Sequence, residues 1–218
     1  MRLLFAGLLG LSMAQALASD KKEANRIVSE AIHTFEAFVA DPHMERFLDQ
    51  VVNAKAILII PMLGKVGLIF GGAGGVGVGL LHDEQTNTWS PPAFYTRASL
   101  SVGLQAGGEV AQVVLVEMTH KGRYALLRNK FQVGADVSVA AGHQGAGAQA
   151  ATTDIVQFSR GMGVYGGLTL EGGVIAVRND LNEAFYGASV STVDILIKRT
   201  VSRPRATRLI EAVSKIAR

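Results

Sequence analysis

The chain has no cysteine and a single tryptophan. Without cysteine there is no disulfide, no thiol nucleophile, no thiolate ligand for a metal, and no cysteine to carry a lipid. Aromatic residues make up only 6% of the chain, and prolines number five. The aromatic girdles of a membrane-spanning barrel are therefore not visible. No apolar run reaches the roughly 20 residues that a helix needs to cross a bilayer. The formal charge of +3 gives no ground for a nucleic-acid partner.

Glycine is what the chain has in quantity, 25 residues in 218, and apolar residues make up 49%. That apolar content excludes bulk disorder, and the length suffices for one sizeable core. The first residues have the pattern of an export signal. Arg2 supplies a positive start, Leu3 to Leu11 an apolar stretch, and Ala16-Leu17-Ala18 a small-x-small cleavage site. The expectation is a cleaved signal peptide over 1–18, a mature chain from about Ser19 forming one domain over 19–218, and a periplasmic address, peripheral to a membrane.

Charge is unevenly placed. Lys198, Arg199, Arg203, Arg205, Arg208, Lys215 and Arg218 face only Glu211 in a basic tail over 198–218, whereas the body before it carries an excess of acids. A weakly acidic body with a basic tail points to an anionic partner such as a membrane surface.

Periodicity gives the elements. Asp20-Lys21-Lys22-Glu23 reads as a cap at a helix head, followed by Ala24, Ile27, Val28, Ala31, Ile32, Phe35 and Val39 at helical spacing. Asp41-Pro42 opens a second helix with Met44, Phe47, Leu48, Val51 and Val52 as its stripe. Lys55 to Ile60 is a β-branched run stopped by Pro61. Gly75-Val76-Gly77-Val78-Gly79-Leu80 alternates strictly, a strand with one bare face. Further strands are expected over Leu100 to Ala106, Val110 to Met118, Phe131 to Ala140, Gly163 to Glu171 and Val174 to Val177. A short helix fits within Arg123 to Lys130, and Asp194 to Lys198 is apolar and undecided. Ser202-Arg203-Pro204 opens a last helix with Ala206, Leu209, Ile210, Val213 and Ile216 on one face. Glycine on one face of a strand costs backbone entropy, which a close approach of other structure must offset. The fold class expected is α+β: a compact antiparallel sheet body, barrel-like or sandwiched, with helices at both ends.

No motif of bond-making chemistry survives inspection. Gly72-Ala73-Gly74-Gly75-Val76-Gly77 matches a dinucleotide fingerprint, but an alternating strand follows it where a helix N-terminus is required. His33, His43, His82, His120 and His143 include no pair at metal-ligand spacing on a helix, and His82 beside Asp83 and Glu84 reads as a solvated turn. Ser159 lacks the Gly-x-Ser-x-Gly context. Glu109, Glu117 and Glu171 lie in strand-like runs without a definable pair. Trp89-Ser90-Pro91-Pro92-Ala93-Phe94-Tyr95 fits a rigid turn that plugs the core, with a bilayer-inserting loop as the other reading. For the last helix, packing into the core and lying in a headgroup layer both stay open.

Several ordered motifs together resemble the SYLF-domain family: Lys65-x-Gly67, Trp89-Ser90-Pro91-Pro92-Ala93-Phe94, Gly103-Leu104-Gln105-Ala106-Gly107-Gly108-Glu109, Phe131-Gln132-Val133-Gly134-Ala135-Asp136, Phe158-Ser159-Arg160-Gly161, Gly166-Gly167-Leu168-Thr169-Leu170-Glu171-Gly172 and Asn182-Glu183-Ala184-Phe185-Tyr186-Gly187. The resemblance covers about Asn25 to Arg199. It implies a lipid-binding module whose eukaryotic relatives bind phosphoinositides and, in some cases, actin. Membrane contact in that family is associated with an N-terminal amphipathic helix and basic residues. Actin is not expected as the partner of an exported bacterial chain. The family usually has Gly-Pro-x-Gly-Arg where this chain has Gly142-His143-Gln144-Gly145-Ala146, so the arginine is absent.

The resulting expectation is non-enzymatic binding of anionic phospholipid, with no cofactor, no metal and no catalytic residue. Lys21, Lys22, Arg26, Lys65, Arg203, Arg205, Arg208 and Lys215 are the candidate headgroup ligands, and the apolar helix faces would add shallow insertion. The alternatives are an outer-membrane barrel, a self-associating envelope scaffold, and a hydrolase with an unrecognised site.

Overall fold

The computed structural model describes residues 2–67, 70–102, 107–142, 153–161 and 172–216. Of these, it gives the backbone alone for 2–17, 65–67, 70–71, 100–102 and 107–109. The helices are α1 (Arg2–Ala40), α2 (Glu45–Val52), α3 (His120–Ala125), α4 (Asn179–Tyr186), α5 (Thr192–Leu196) and α6 (Pro204–Ser214). The strands are β1 (Ala56–Gly67), β2 (Phe70–Asp83), β3 (Thr88–Trp89), β4 (Ala93–Val102), β5 (Gly107–Glu117), β6 (Lys130–Val133), β7 (Val139–Ala141), β8 (Ile155–Gly161) and β9 (Gly173–Val177). They form one sheet in the order β6-β9-β4-β2-β1-β5-β8-β7, with β3 pairing β2. Every pairing is antiparallel except β7 with β8. The class is therefore α+β, a curled half-barrel sheet with helices at both ends.

A long-range contact reports the curl. Arg97 on β4 donates from Nη1 to Gln157 Oε1 on β8 at 3.0 Å. Three strands lie between β4 and β8. In a flat sheet the two strands would stand about 19 Å apart, four strand spacings. The sheet must bend until its concave face brings them together.

β2 permits that bend. Its Val78 and Leu80 are buried on the convex face, and Gly75, Gly77 and Gly79 line the concave one. A methyl group at Gly75 would lie 2.5 Å from the Met62 carbonyl oxygen, and one at Gly77 would lie closer still to that of Ile59. A ring carbon of Tyr95 lies 2.9 Å from where a methyl at Gly79 would sit. The bare strand face expected from the alternation is thus occupied by the backbone of β1 and by an aromatic ring.

β1 does not stop at Pro61. It continues to Gly67, and its pairing shifts between Ile59 and Met62 on one side and between Ile60 and Leu63 on the other. Proline has no N–H to give a ladder, so it sits where the ladder is already interrupted by a bulge.

The two faces of the sheet carry different layers. Gln112 Nε2 on β5 donates to Thr34 Oγ1 of α1 at 3.2 Å. Phe47 of α2 meets Phe158 of β8 at 5.2 Å, and Phe185 of α4 meets Phe94 of β4 at 5.3 Å. These residues mark the convex face. Glu117, of opposite parity to Gln112 on the same strand, lies beneath α3, where a methyl at Gly122 would lie 3.3 Å from its Cβ. Tyr95 donates its hydroxyl to the Leu126 carbonyl at 2.6 Å, so the end of α3 covers the concave face.

Three further sequence expectations need correction. Asp20 to Glu23 does not begin a helix, because α1 runs unbroken from Arg2 through a Leu- and Ala-rich stretch that favours helix. Phe131 to Ala140 is not one strand. Gly134 at φ 90° and the exposed Ala135 and Asp136 turn the chain between β6 and β7, and Gln132 N donates to Asp136 Oδ2 at 2.7 Å. The outer-membrane-barrel alternative fails because helices cover the convex face where lipid would have to lie. The described strands also end in two edges, β6 and β7. Among the described residues no helix is long and apolar enough to cross a membrane. The expected strand over Gly163 to Glu171 and most of the Gly142 to Ala146 loop lie outside the described residues.

Other expectations hold. Trp89, Phe94 and Tyr95 are buried, and Trp89 stacks on His82 at 4.9 Å, so this segment plugs the core as expected, although the turn is confined to residues 90–92 between β3 and β4. Asp194 to Lys198, undecided from the residues alone, overlaps α5, which is started by a reciprocal Ser191–Asp194 capping box. We predict that Gly77→Ala lowers unfolding free energy by at least about 2 kcal/mol, since the added methyl meets backbone that cannot rotate away. Urea titration measures this; an unchanged midpoint would contradict the close approach of β1 to β2.

Candidate anion-binding groove

α1 and α6 lie side by side on the convex face. Each buries its apolar stripe: Ala24, Ile27, Val28, Ala31 and Phe35 from α1, and Ala206, Leu209 and Val213 from α6. The expected shallow insertion of these stripes into lipid is therefore corrected, because the stripes are spent on the protein core. The polar edges that remain between the helices form a groove.

The groove's near end is lined by Lys21, Asn25, Phe185, Arg203, Pro204, Arg205 and Arg208, and encloses about 350 Å³. This is at the small end of the about 300–1,000 Å³ usual for ligand sites. Among the described residues no acid lines this end. Asp20 and Glu23, on the same helix turn as Lys21, act on Arg178 instead. The far end, about 340 Å³, mixes His33, Glu36 and Glu211 with Arg205, Arg208 and Lys215.

Local structure holds the cations in place. Pro204 at the first turn fixes the start of α6, and Arg203 precedes it as an extended cap residue. Arg203 donates from Nη2 to the Tyr186 carbonyl at the C-terminal end of α4, where a cation meets the negative end of the helix dipole. Gly187 follows at φ 74°, a left-handed helix end that glycine adopts without strain. Arg205 reaches across and donates from Nη1 to Ser29 Oγ on α1. The first turn of α6 has no side-chain cap and no acid, so its N–H groups add positive potential beside these side chains.

The structure divides the eight expected ligands. Lys21, Arg203, Arg205 and Arg208 converge at the near end, and Lys215 stands at the far end. Lys22 is exposed on α1 outside both linings. Arg26 is paired with Glu30 at 2.8 Å from both carboxylate oxygens. Lys65 is on β1, in register with Ala73 and Glu109, and its side chain lies outside the described residues. Sequence reasoning missed Asn25, Ser29 and Phe185. The spacing Lys21, Asn25, Ser29 is one helical edge and could have revealed two of them.

The remaining titratable candidates are elsewhere. Asp83 accepts from Gln85 N and Thr86 N, and Glu84 pairs with Lys55 Nζ at 2.6 Å. This turn is held by its own hydrogen bonds and by basic neighbours. Among the described residues no three His, Asp or Glu side chains converge as metal ligands. Asp154 accepts from Thr119 Oγ1 at 2.7 Å, Ser138 N at 2.9 Å, Ser138 Oγ at 3.0 Å and Lys121 Nζ at 3.2 Å. Burial alone would raise its carboxyl, but these hydrogen bonds outweigh burial and hold it at about 2. Its contribution to stability is present above its ordinary value of 3.8 and is lost as pH falls toward about 2. Glu117 is the opposite case. Fully buried, and with neither carboxyl oxygen hydrogen-bonded among the described residues, it is pushed by burial well above its ordinary value of 4.5. As pH rises from 4.5 toward this raised value, the unfolded chain releases the proton while the folded one holds it, so stability falls across that window. Glu117→Gln should leave the melting temperature unchanged near pH 4 and raise it near pH 7.5. Equal effects at both values would contradict the buried neutral carboxyl.

A family model described as "Las17-binding protein actin regulator" (Ysc84) matches residues 98–216. Protein YSC84 of Saccharomyces cerevisiae is 26% identical over 211 residues, 93% of this chain and 44% of that protein. LAS seventeen-binding protein 3 of the same yeast is 28% identical over 93% of this chain and 45% of that protein. The SH3 domain-containing YSC84-like protein 1 of Homo sapiens is 23% identical over 89% of this chain and 58% of that protein. The chain thus spans about half the length of the curated relatives it matches. No solved structure matches.

Proposed function

The chain belongs to the Ysc84, or SYLF-domain, family, and from that premise we propose that it binds anionic phospholipid headgroups without catalysing a reaction. The observation that carries this reading is the convergence of Lys21, Arg203, Arg205 and Arg208 on one groove end that, among the described residues, no acid lines. Phe185 gives that end an apolar wall, and Asn25 offers both a donor and an acceptor. A phosphate monoester or diester fits this set: several charge-assisted donors and an adjacent helix N-terminus. With the apolar stripes of α1 and α6 buried, binding is electrostatic, so it weakens as salt screens it. The pattern of residues 1–18 supports export, which would bring the groove to the periplasmic surface of a bacterial membrane.

The family description supports a second reading, a protein partner of the actin-regulator kind. It competes with export, because an exported chain does not meet actin. Co-sedimentation with actin filaments tests it, and filament binding at physiological salt would favour it over the lipid reading.

Each cation near an anionic surface contributes about 1 kcal/mol. Arg205→Glu with Arg208→Glu should therefore weaken binding to phosphatidylglycerol or cardiolipin vesicles at low salt by about 2 kcal/mol or more, roughly 30-fold. Co-sedimentation measures this. Equal binding of the wild-type protein to neutral phosphatidylcholine vesicles would sink the proposal.

A further inference from the structure

A second basic surface lies on α3 and α5. From Met118 to Val133 the chain has no acid, while His120, Lys121, Arg123 and Arg128 stand among those residues. Tyr124 is 52% exposed. The Arg123 guanidinium lies over its ring at 5.5 Å, and the His120 ring stacks beside it at 6.3 Å. Thr192 Oγ1 donates to the Leu127 carbonyl at 3.4 Å, which joins α5 to the end of α3. α5 buries Ile195 and Leu196 and turns Val193 and Ile197 outward, 38% and 42% exposed and one helical turn apart. The acids nearby are engaged: Asp194 with Ser191 and Lys198, and Asp154 with Thr119, Ser138 and Lys121. Among the described residues Arg123 and Arg128 have no acidic partner.

This surface is not an extension of the groove. On β5, Gln112 contacts α1 and Glu117 contacts α3. The strand pairs with β8 in unbroken register from Ala111 to Glu117, so residues of opposite parity point to opposite faces. α1 and α3 therefore pack on opposite faces of the sheet.

We propose that the α3–α5 surface is a second contact for an anionic bilayer, so that one molecule can join two membranes. The inference rests on the reading of the α1–α6 groove as the first contact. Charge identifies the occupant: Arg123 and Arg128 have no acidic partner among the described residues, and Asp154 and Asp194 are already paired with Lys121 and Lys198, which leaves a net positive surface, the complement of an anionic headgroup layer. The three outward apolar groups distinguish it from a site for a small soluble anion. Tyrosine has an apolar ring and a polar tip suited to headgroup depth, arginine can keep its charge in water while its stem lies on apolar surface, and Val193 and Ile197 are short anchors. The groove holds headgroups by charge, whereas this surface adds shallow insertion through side chains that the core does not use.

The test uses the full-length protein with phosphatidylglycerol vesicles. Co-sedimentation reads binding, and energy transfer between separately labelled vesicle populations reads joining. The wild type should bind and join vesicles. The triple variant Tyr124→Ser, Val193→Ser, Ile197→Ser, and separately Arg128→Glu, should still bind but lose joining. All four positions are exposed, and an unchanged melting temperature verifies the fold. Wild-type binding without joining, or joining by the triple variant at the wild-type rate, would overturn the proposal and leave the groove reading intact. Unchanged binding and joining by the Arg205→Glu, Arg208→Glu variant would sink the groove reading and the bridge with it. Joining of neutral vesicles as rapidly as anionic ones would overturn the charge basis of the second contact.

Discussion

The carbonyl groups of Ile59 and Met62 lie against a stretch of β2 that has no side chains on that face. The rest of the architecture follows from this contact. With Gly75 and Gly77 bare, the bulged β1 can press onto β2, and the sheet bends sharply enough for Arg97 to reach Gln157 across its hollow. Bulges and glycines at defined positions are the general means of curving a sheet. The bend makes one face convex and long, so that α1, α2, α4 and α6 can all lie on it. It makes the other face concave and short, so that Tyr95, Arg97, Gln157 and the end of α3 fill it.

Binding chemistry is a by-product of how the convex layer is packed. α1 and α6 turn their apolar stripes into the core, and the basic edges beside those stripes are forced together. Four cations at one groove end repel one another, and the fold tolerates this only because other contacts hold the side chains. Arg203 caps α4, Arg205 reaches Ser29, and the burial of Leu209 and Val213 holds the helix. The preorganisation removes part of the entropic cost that free side chains would meet on binding. The concave layer is built differently: its acids are either hydrogen-bonded, as Asp154 is, or neutral, as Glu117 is. The Asp154 carboxylate is matched by Lys121, so Arg123 and Arg128 set the sign of the surface on that side.

Much of this was legible in the residues. The alternation of Gly75 to Leu80 gave a strand with a bare face, and the Trp89 to Tyr95 segment gave a core plug. The basic tail gave most of the groove cations. What was not legible has physical causes. Pro61 looks like a strand end because a local reading cannot see that two neighbouring strands shift register at the same place. Phe131 to Ala140 alternates like a strand, but Gly134 at positive φ and the Asp136 side chain turn it, so local hydrogen bonding overrides periodicity. Whether the stripe of the last helix meets core or lipid is not encoded in its spacing, since both solutions bury the same residues. Arg26 and Glu30 are four apart, and their pairing could have been read in advance. Asn25 and Ser29 share a helical edge with Lys21 that the spacing shows, but that this edge and Phe185 meet the tail follows only from tertiary packing, and the α3–α5 surface likewise exists only once Leu127 meets Thr192.

The central claim is that the positive end of the α1–α6 groove recognises a phosphate group on a glycerol. Backbone amide shifts of the isotopically labelled protein, followed by nuclear magnetic resonance during titration with monodisperse glycerol phosphate, test this without a bilayer. The account predicts saturable shifts at Lys21, Asn25, Ser29, Phe185, Arg203 and Arg205 to Arg208, abolished by high salt. Shifts confined to the concave face, or none at these residues at saturating glycerol phosphate, would contradict it.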